Sequence, residues 1–115
     1  MKENVIKDKS FAFALAVISI CRRLQENREY VLSRQLLKAG TSVGANVEEA
    51  QAAQSRADFL SKMSIAAKEA RESLYWLRLL RDCGEFPSIP VLPLIESSDE
   101  LLRVLTSIVK TTGES

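Results

Sequence analysis

Histidine is absent from this chain, which removes the commonest general base near neutral pH, the commonest nitrogen ligand for metals, and every Ser-His or Cys-His nucleophile. Glycine and proline are scarce, four and three in 115 residues, too few to punctuate an all-β or α/β fold with its many turns. The two cysteines, Cys21 and Cys83, stand far apart with no ligand spacing around them, and they read as buried, reduced thiols acting as small hydrophobes. An excess of one charge is also missing: sixteen basic side chains against fifteen acidic ones leave +1, too weak a field to single out nucleic acid or membrane as a partner. Nor is there a long apolar run. The stretch from Phe11 to Cys21 has eleven residues, about half of the ~20 that span a bilayer. The charged segment MKENVIKDKS precedes it, Arg22 and Arg23 follow it, and no small-residue cleavage site comes after. A cytoplasmic protein with neither leader nor membrane contact is expected.

What these exclusions leave is long helices with short connections, in a single domain over 1–115. The expected fold is all-α, an antiparallel up-down-up-down four-helix bundle, left-handed, with crossing angles near ~20°. Apolar periodicity places the helices at about 5–26, 31–54, 56–82 and 92–110. The first carries two adjoining stripes, Phe11, Leu15, Ile18, Cys21 and Gln25 beside Phe13, Val17, Ile20 and Leu24, and one bundle core buries only one of them. The surplus predicts contact with another subunit. In the second helix Leu32, Leu36, Val43, Val47 and Ala50 form a seam, with Gly40 in its gap. Gly40 and Gly44 each weaken a helix by about 1 kcal/mol relative to Ala, yet the stripe keeps its phase across them. The helix is therefore expected to run through, with the glycines admitting a close neighbour.

For the third helix Ser55 is the expected N-cap and Asp58 a favourable first-turn acid. Its seam is Phe59, Met63, Ala66, Ala70, Leu77 and Leu80, and Gly84 suits the position just past its end. Pro87, Pro90 and Pro93 keep the following linker from regular helix until the fourth segment, whose seam includes Leu94, Leu101, Leu105 and Ile108. The tail from Gly113 is expected to fray.

A four-helix bundle invites a di-iron carboxylate reading, with Glu48, Glu49, Glu69 and Glu72 as the acids, but that ligand set also needs histidine. No metal, cofactor or catalytic residue is expected. The second helix also bears a polar stripe beside its seam, Gln35, Ser42, Asn46 and Glu49, with Glu69 and Lys62 able to meet it from the third helix. Such a network either fixes helix register or a subunit interface, the preferred reading, or forms a functional polar pocket. Residues 1–40 carry eight basic and four acidic side chains, +4, whereas 41–115 carry eight and eleven, −3. Arg22, Arg23, Arg28, Arg34 and Lys38 cluster around the first connection and are the candidate nucleic-acid contacts; a solvated helix face is the plainer reading of the same residues.

The run from Ser33 to Ala50, SRQLLKAGTSVGANVEEA, with IAAKEARESLYWL from Ile65 to Leu77, resembles the four-helix-bundle family of 23S rRNA intervening sequence proteins. The resemblance covers essentially the whole chain, and Ser42, Asn46, Glu49, Glu69 and Trp76 fall at its motif positions. It implies an up-down-up-down bundle that assembles as a cyclic homopentamer, in a bacterial family named for a genomic location and not for an activity. A related branch, the accessory variability proteins of diversity-generating retroelements, implies a basic ring that binds nucleic acid and a reverse transcriptase. The expected function is thus a non-enzymatic, ring-forming interaction protein whose partner is structured RNA or an RNA-handling protein. The alternative is a small enzyme or ligand-binding protein using Ser42, Asn46, Glu49 and Glu69.

Overall fold

The computed structural model of the chain describes residues 2–114. It forms four helices, α1 (Lys2–Glu26), α2 (Val31–Gln51), α3 (Arg56–Asp82) and α4 (Leu92–Glu114), and no strand occurs among the described residues. Short turns force consecutive helices to run antiparallel side by side, and α4 returns against α1, so the four close into a square around one core. The result is a rod of 46 × 21 × 20 Å. Ile6, Val17, Leu24, Leu36, Val43, Val47, Met63, Leu77, Leu101 and Leu105 are fully buried along its axis. The expected seams of α2, α3 and α4 all turn inward.

Small residues set how closely the helices approach. An ideal Cβ at Gly40 would stand 2.7 Å from Val17 Cγ2, and one at Gly44 would stand 3.3 Å from the Ser10 carbonyl oxygen. Here α1 lies against the bare backbone of α2, and α2 runs unbroken through both glycines. Among the described residues the buried polar side chains are Ser10, Ser33, Ser73 and Ser98, and each hydroxyl donates to a carbonyl one turn back, of Lys7, Tyr30, Glu69 and Ile95. A serine satisfied in this way fills an alanine-sized gap without leaving an orphaned dipole.

The helix ends explain where the apolar pattern misplaced boundaries. α1 begins at Lys2, ahead of the expected 5, because the apolar stripe marks only the part that is packed while charged residues extend a helix freely. It ends in a Schellman motif: the Glu29 N–H donates to Leu24 O and the Arg28 N–H to Gln25 O, with Arg28 at φ +64°. α2 stops at Gln51 and not at 54. The Ala52 and Ala53 N–H groups tighten onto Glu49 and Ala50, and Gln54 already donates to the Asp58 carboxylate of α3. Ser55 caps α3 as expected, its hydroxyl accepting from the Asp58 N–H at 3.0 Å. α4 runs to Glu114, past the expected 110 and through Gly113, where fraying was predicted. The Arg56 guanidinium donates to Thr112 O and ties that last turn to the start of α3.

Candidate interaction surface

On α1 the two apolar stripes separate, except that Cys21 of the Phe11 stripe is buried with the other one. Phe13, Val17, Ile20, Cys21 and Leu24 are buried, Ile18 is half-buried, and Phe11 and Leu15 remain 61% and 55% exposed. The exposed side chains sit one turn apart and face away from the core. Beyond them the outer seam between α1 and α2 opens into a groove of about 340 Å³ lined by Ile18, Cys21, Arg22, Gln25 and Leu37. Lys7 and Glu48 bridge the same two helices at 3.7 Å near the other end.

The structure splits the basic cluster. Arg22, Arg34 and Lys38 are exposed, Arg22 at the rim of the α1–α2 groove and the other two a turn apart on α2, with Arg28 in the turn between the helices. Arg23 is also exposed but points elsewhere: its guanidinium donates at 3.0 Å to Ser88 O in the α3–α4 linker. Four of the five positive groups thus remain available at one end and one outer face. Glu29, a residue the sequence did not single out, caps α2 from the same turn, its carboxylate accepting from the Leu32 N–H at 2.8 Å. Only the turn geometry reveals it, because Tyr30 occupies the N-cap position and makes no side-chain cap bond.

The polar stripe of α2 is organised along its own helix. Ser42 Oγ donates to Lys38 O at 2.6 Å and Asn46 Nδ2 to Ser42 O at 2.9 Å, while Gln35 and Glu49 are exposed. Across from them Glu69 is half-buried and its backbone carbonyl holds Ser73. Among the described residues no hydrogen bond or ion pair crosses from Gln35, Ser42, Asn46 or Glu49 to α3. None of these residues lines the α1–α2 groove, the α1–α4 cleft or the cleft at the linker. Among the described residues no three carboxylates or thiols gather as a metal ion would need, and no helix is long and apolar enough to cross a membrane.

Cys21 is buried with its Sγ–H directed at Ser33 O, 3.3 Å away, and burial pushes its pKa up to about 11. Cys83 departs from the expected burial: it lies exposed in the C-cap of α3, where the helix has ended and the apolar stripe no longer has a core to face. Two further features escaped the sequence. A cleft of about 540 Å³ is walled by Leu80, Phe86, Ile89, Val91 and Pro93 of the linker region. On α3, Tyr75 and Leu79 are exposed apolar side chains a turn apart, and Ile65 is a third, set apart from them by Lys68, Glu69 and Glu72.

A sequence model of the 23S rRNA-intervening sequence proteins matches residues 2–107. No functionally curated protein matches the chain. A 1.70 Å crystal structure of a protein of unknown function from the S23 ribosomal protein family of Bacteroides thetaiotaomicron VPI-5482 is similar throughout, with 45% sequence identity, a TM-score of 0.89, and coverage of 96% of this chain and 99% of that one. Since that match, the bundle and the motif-bearing α2 and α3 coincide over nearly the whole length, the chain belongs to the 23S rRNA-intervening sequence protein family.

Proposed function

We propose that the chain is a non-enzymatic, cytoplasmic interaction protein that assembles into a ring of its own copies and offers the basic end of α1 and α2 to structured RNA or an RNA-handling protein. The observation that carries this reading is the exposure of Phe11 and Leu15 on a helix whose opposite face is wholly buried. Phe11 and Leu15, a turn apart with half-buried Ile18 beside them, support an association surface on that face. Five copies is the number the family resemblance implies. Arg22, Arg28, Arg34 and Lys38 support the second half of the reading, since among the described residues none of them is neutralised by an ion pair, which is the condition for contacting phosphates. Both thiols are unpaired, in keeping with a reducing compartment. An enzyme built on Ser42, Asn46, Glu49 and Glu69 has no comparable support, because the hydroxyl and the amide are already engaged by their own helix.

Light scattering at micromolar concentration tests the assembly: a mass near 12.8 kDa removes the oligomer, twice that removes the ring, and five times that supports the pentamer. Filter binding with total RNA tests the partner. Binding that falls steeply with salt, and falls further in Arg34→Glu with Lys38→Glu, supports the RNA reading; absence of binding at low salt overturns it.

A further inference from the structure

The last turns of α3 return to the end of the rod where α2 starts, and they bring aromatic side chains that lie far in sequence from the basic cluster of the first turn. Val31 lies twenty residues before Gln51 and Trp76 twenty residues after Arg56, so across the short 52–55 turn the two stand at equal height. They also share a side. On α2, Gly40 and Gly44 face α1, and at about 100° per residue Val31 and Lys38 lie roughly 140–160° round from them, on the outer surface toward α3. On α3, Asp58 accepts from the Gln54 N–H beside the turn from α2, and Trp76, about five full turns later, has the same bearing.

Apolar and aromatic groups gather on this face. Val31 is 66% exposed, Tyr75 51% and Leu79 37%, and half-buried Trp76 stands edge-on to Tyr75 with ring centroids 5.1 Å apart. The indole is held in place: its Nε1–H donates to the Glu72 carboxylate at 3.3 Å while its buried part packs against the core. Positive groups border the rings from both helices. Arg71, Tyr75 and Arg78, four and three residues apart, form one line along α3, so Tyr75 stands between two guanidinium-bearing residues. Lys38, with Arg34 a turn away, borders the face on α2. All four are exposed, and among the described residues none is neutralised by an ion pair. The carboxylates on this face, Glu69 and Glu72, are half-buried, and Glu72 is engaged by the indole.

The geometry points to a platform for unpaired nucleotides of an RNA: bases stack on Tyr75 and against Leu79 and Trp76, while Arg71 and Arg78 on one side and Lys38 on the other hold the flanking phosphates. This rests on the RNA reading above and narrows it to a single-stranded segment and to the outer face shared by α2 and α3. A duplex keeps its bases stacked inside and turns phosphates outward, so it satisfies the arginines and leaves the rings in water. An unpaired base offers its own face to an aromatic ring, whatever its identity, and its phosphates reach the basic groups alongside. An acidic polypeptide meets the charges but not the rings. Basic and aromatic side chains interleaved on one surface are complementary to both parts of a nucleotide at once.

Three probes separate these occupants at low salt: an RNA strand of about fifteen nucleotides that cannot pair with itself, the same strand annealed to its complement, and polyglutamate. Filter binding gives the affinities, and Trp76, the one tryptophan of the chain, reports contact through its emission. The single strand is expected to bind at least about tenfold more tightly than the duplex and to quench Trp76. Tyr75→Ala is expected to lose about fivefold or more of the single-strand affinity while the duplex affinity stays within about twofold, and Tyr75→Phe to keep both. Circular dichroism verifies that these surface variants remain helical. Equal binding of strand and duplex, an unchanged Trp76 emission on saturation, or full single-strand affinity in Tyr75→Ala overturns the platform and leaves the RNA reading standing. Polyglutamate that binds as tightly as the strand assigns the face to an acidic protein and overturns the platform as well. Binding of neither RNA form overturns the RNA reading itself, and the platform with it. Should Tyr75→Ala lose helicity, Arg71→Ala with Arg78→Ala decides: a loss of about fivefold or more in single-strand affinity with a shallower salt dependence is expected, and no change overturns the site.

Discussion

Gly40 is a site where a single methyl group decides stability. Helix propensity alone favours Gly40→Ala by about 1 kcal/mol. The added Cβ, however, would stand 2.7 Å and 2.8 Å from the two methyls of Val17 and 3.1 Å from its Cβ. Valine is stiff about χ1 and cannot swing aside, so the substitution is expected to destabilise the bundle by about 1–3 kcal/mol net, read from urea unfolding. Combined with Val17→Ala, which vacates that space, Gly40→Ala is expected to cost much less than it does alone; two strictly additive losses would show that Val17 is not the obstacle. Cys21 offers a second residue-scale test. Its thiol titrates near 9 when unfolded and at about 11 when buried, so the folded state holds the proton over that interval while the unfolded state releases it. Stability must then fall as pH rises from about 9 to about 11, by roughly 2–3 kcal/mol in all. The loss between pH 8 and 10.5 is expected to be smaller in Cys21→Ala, and in the native protein a thiol reagent is expected to label Cys83 but not Cys21.

At the scale of the element, the ends of the helices carry separable contributions. Ser55→Ala removes the hydroxyl that accepts from the Asp58 N–H, and thermal unfolding is expected to show a loss of about 1 kcal/mol. Arg28 occupies the left-handed position that closes α1, at φ +64°, where the corresponding residue after α3 is Gly84 at φ +76°. Arg28→Gly is expected to stabilise by up to ~1 kcal/mol, because it removes a Cβ from a strained conformation while the Leu24 and Gln25 carbonyls keep their backbone donors. An unchanged or lowered stability would mean that the arginine side chain itself holds the turn. Exposed bridges such as Lys9 to Glu100, at 3.2 Å between α1 and α4, contribute little by comparison.

For the whole molecule, the proposed self-association ties stability to protein concentration. A small rod with Phe11 and Leu15 in water gains stability whenever another copy covers them, so its unfolding temperature is expected to rise with protein concentration. A midpoint that stays constant from micromolar to near-millimolar concentration counts against self-association. Within one copy, Leu105 and Leu36 are fully buried, and truncating either to alanine is expected to cost about 2–5 kcal/mol without changing the helical content of what remains folded.

The bundle was legible in the chain because each helix carries its own periodic stripe, and a period of three and four residues has one structural meaning whatever surrounds it. Ser55 as a cap, Gly84 as a terminator and the continuity of α2 through its glycines were legible for the same reason: each depends on neighbours a turn away. What sequence could not decide is which of two adjoining stripes faces inward. Phe11 and Phe13 are equally apolar, and only the direction from which α2 and α4 approach α1 buries Phe13 and exposes Phe11. Charge follows the same division. The five basic residues near the first turn are close in sequence, but adjacent positions on a helix point about 100° apart, so Arg22 stays on the outer face while Arg23 reaches round to the linker. Local pattern determined the elements; burial, orientation and the pairing of distant carbonyls with side chains arose only when the four helices closed around one core, because those properties belong to relative positions that no single stretch of chain contains.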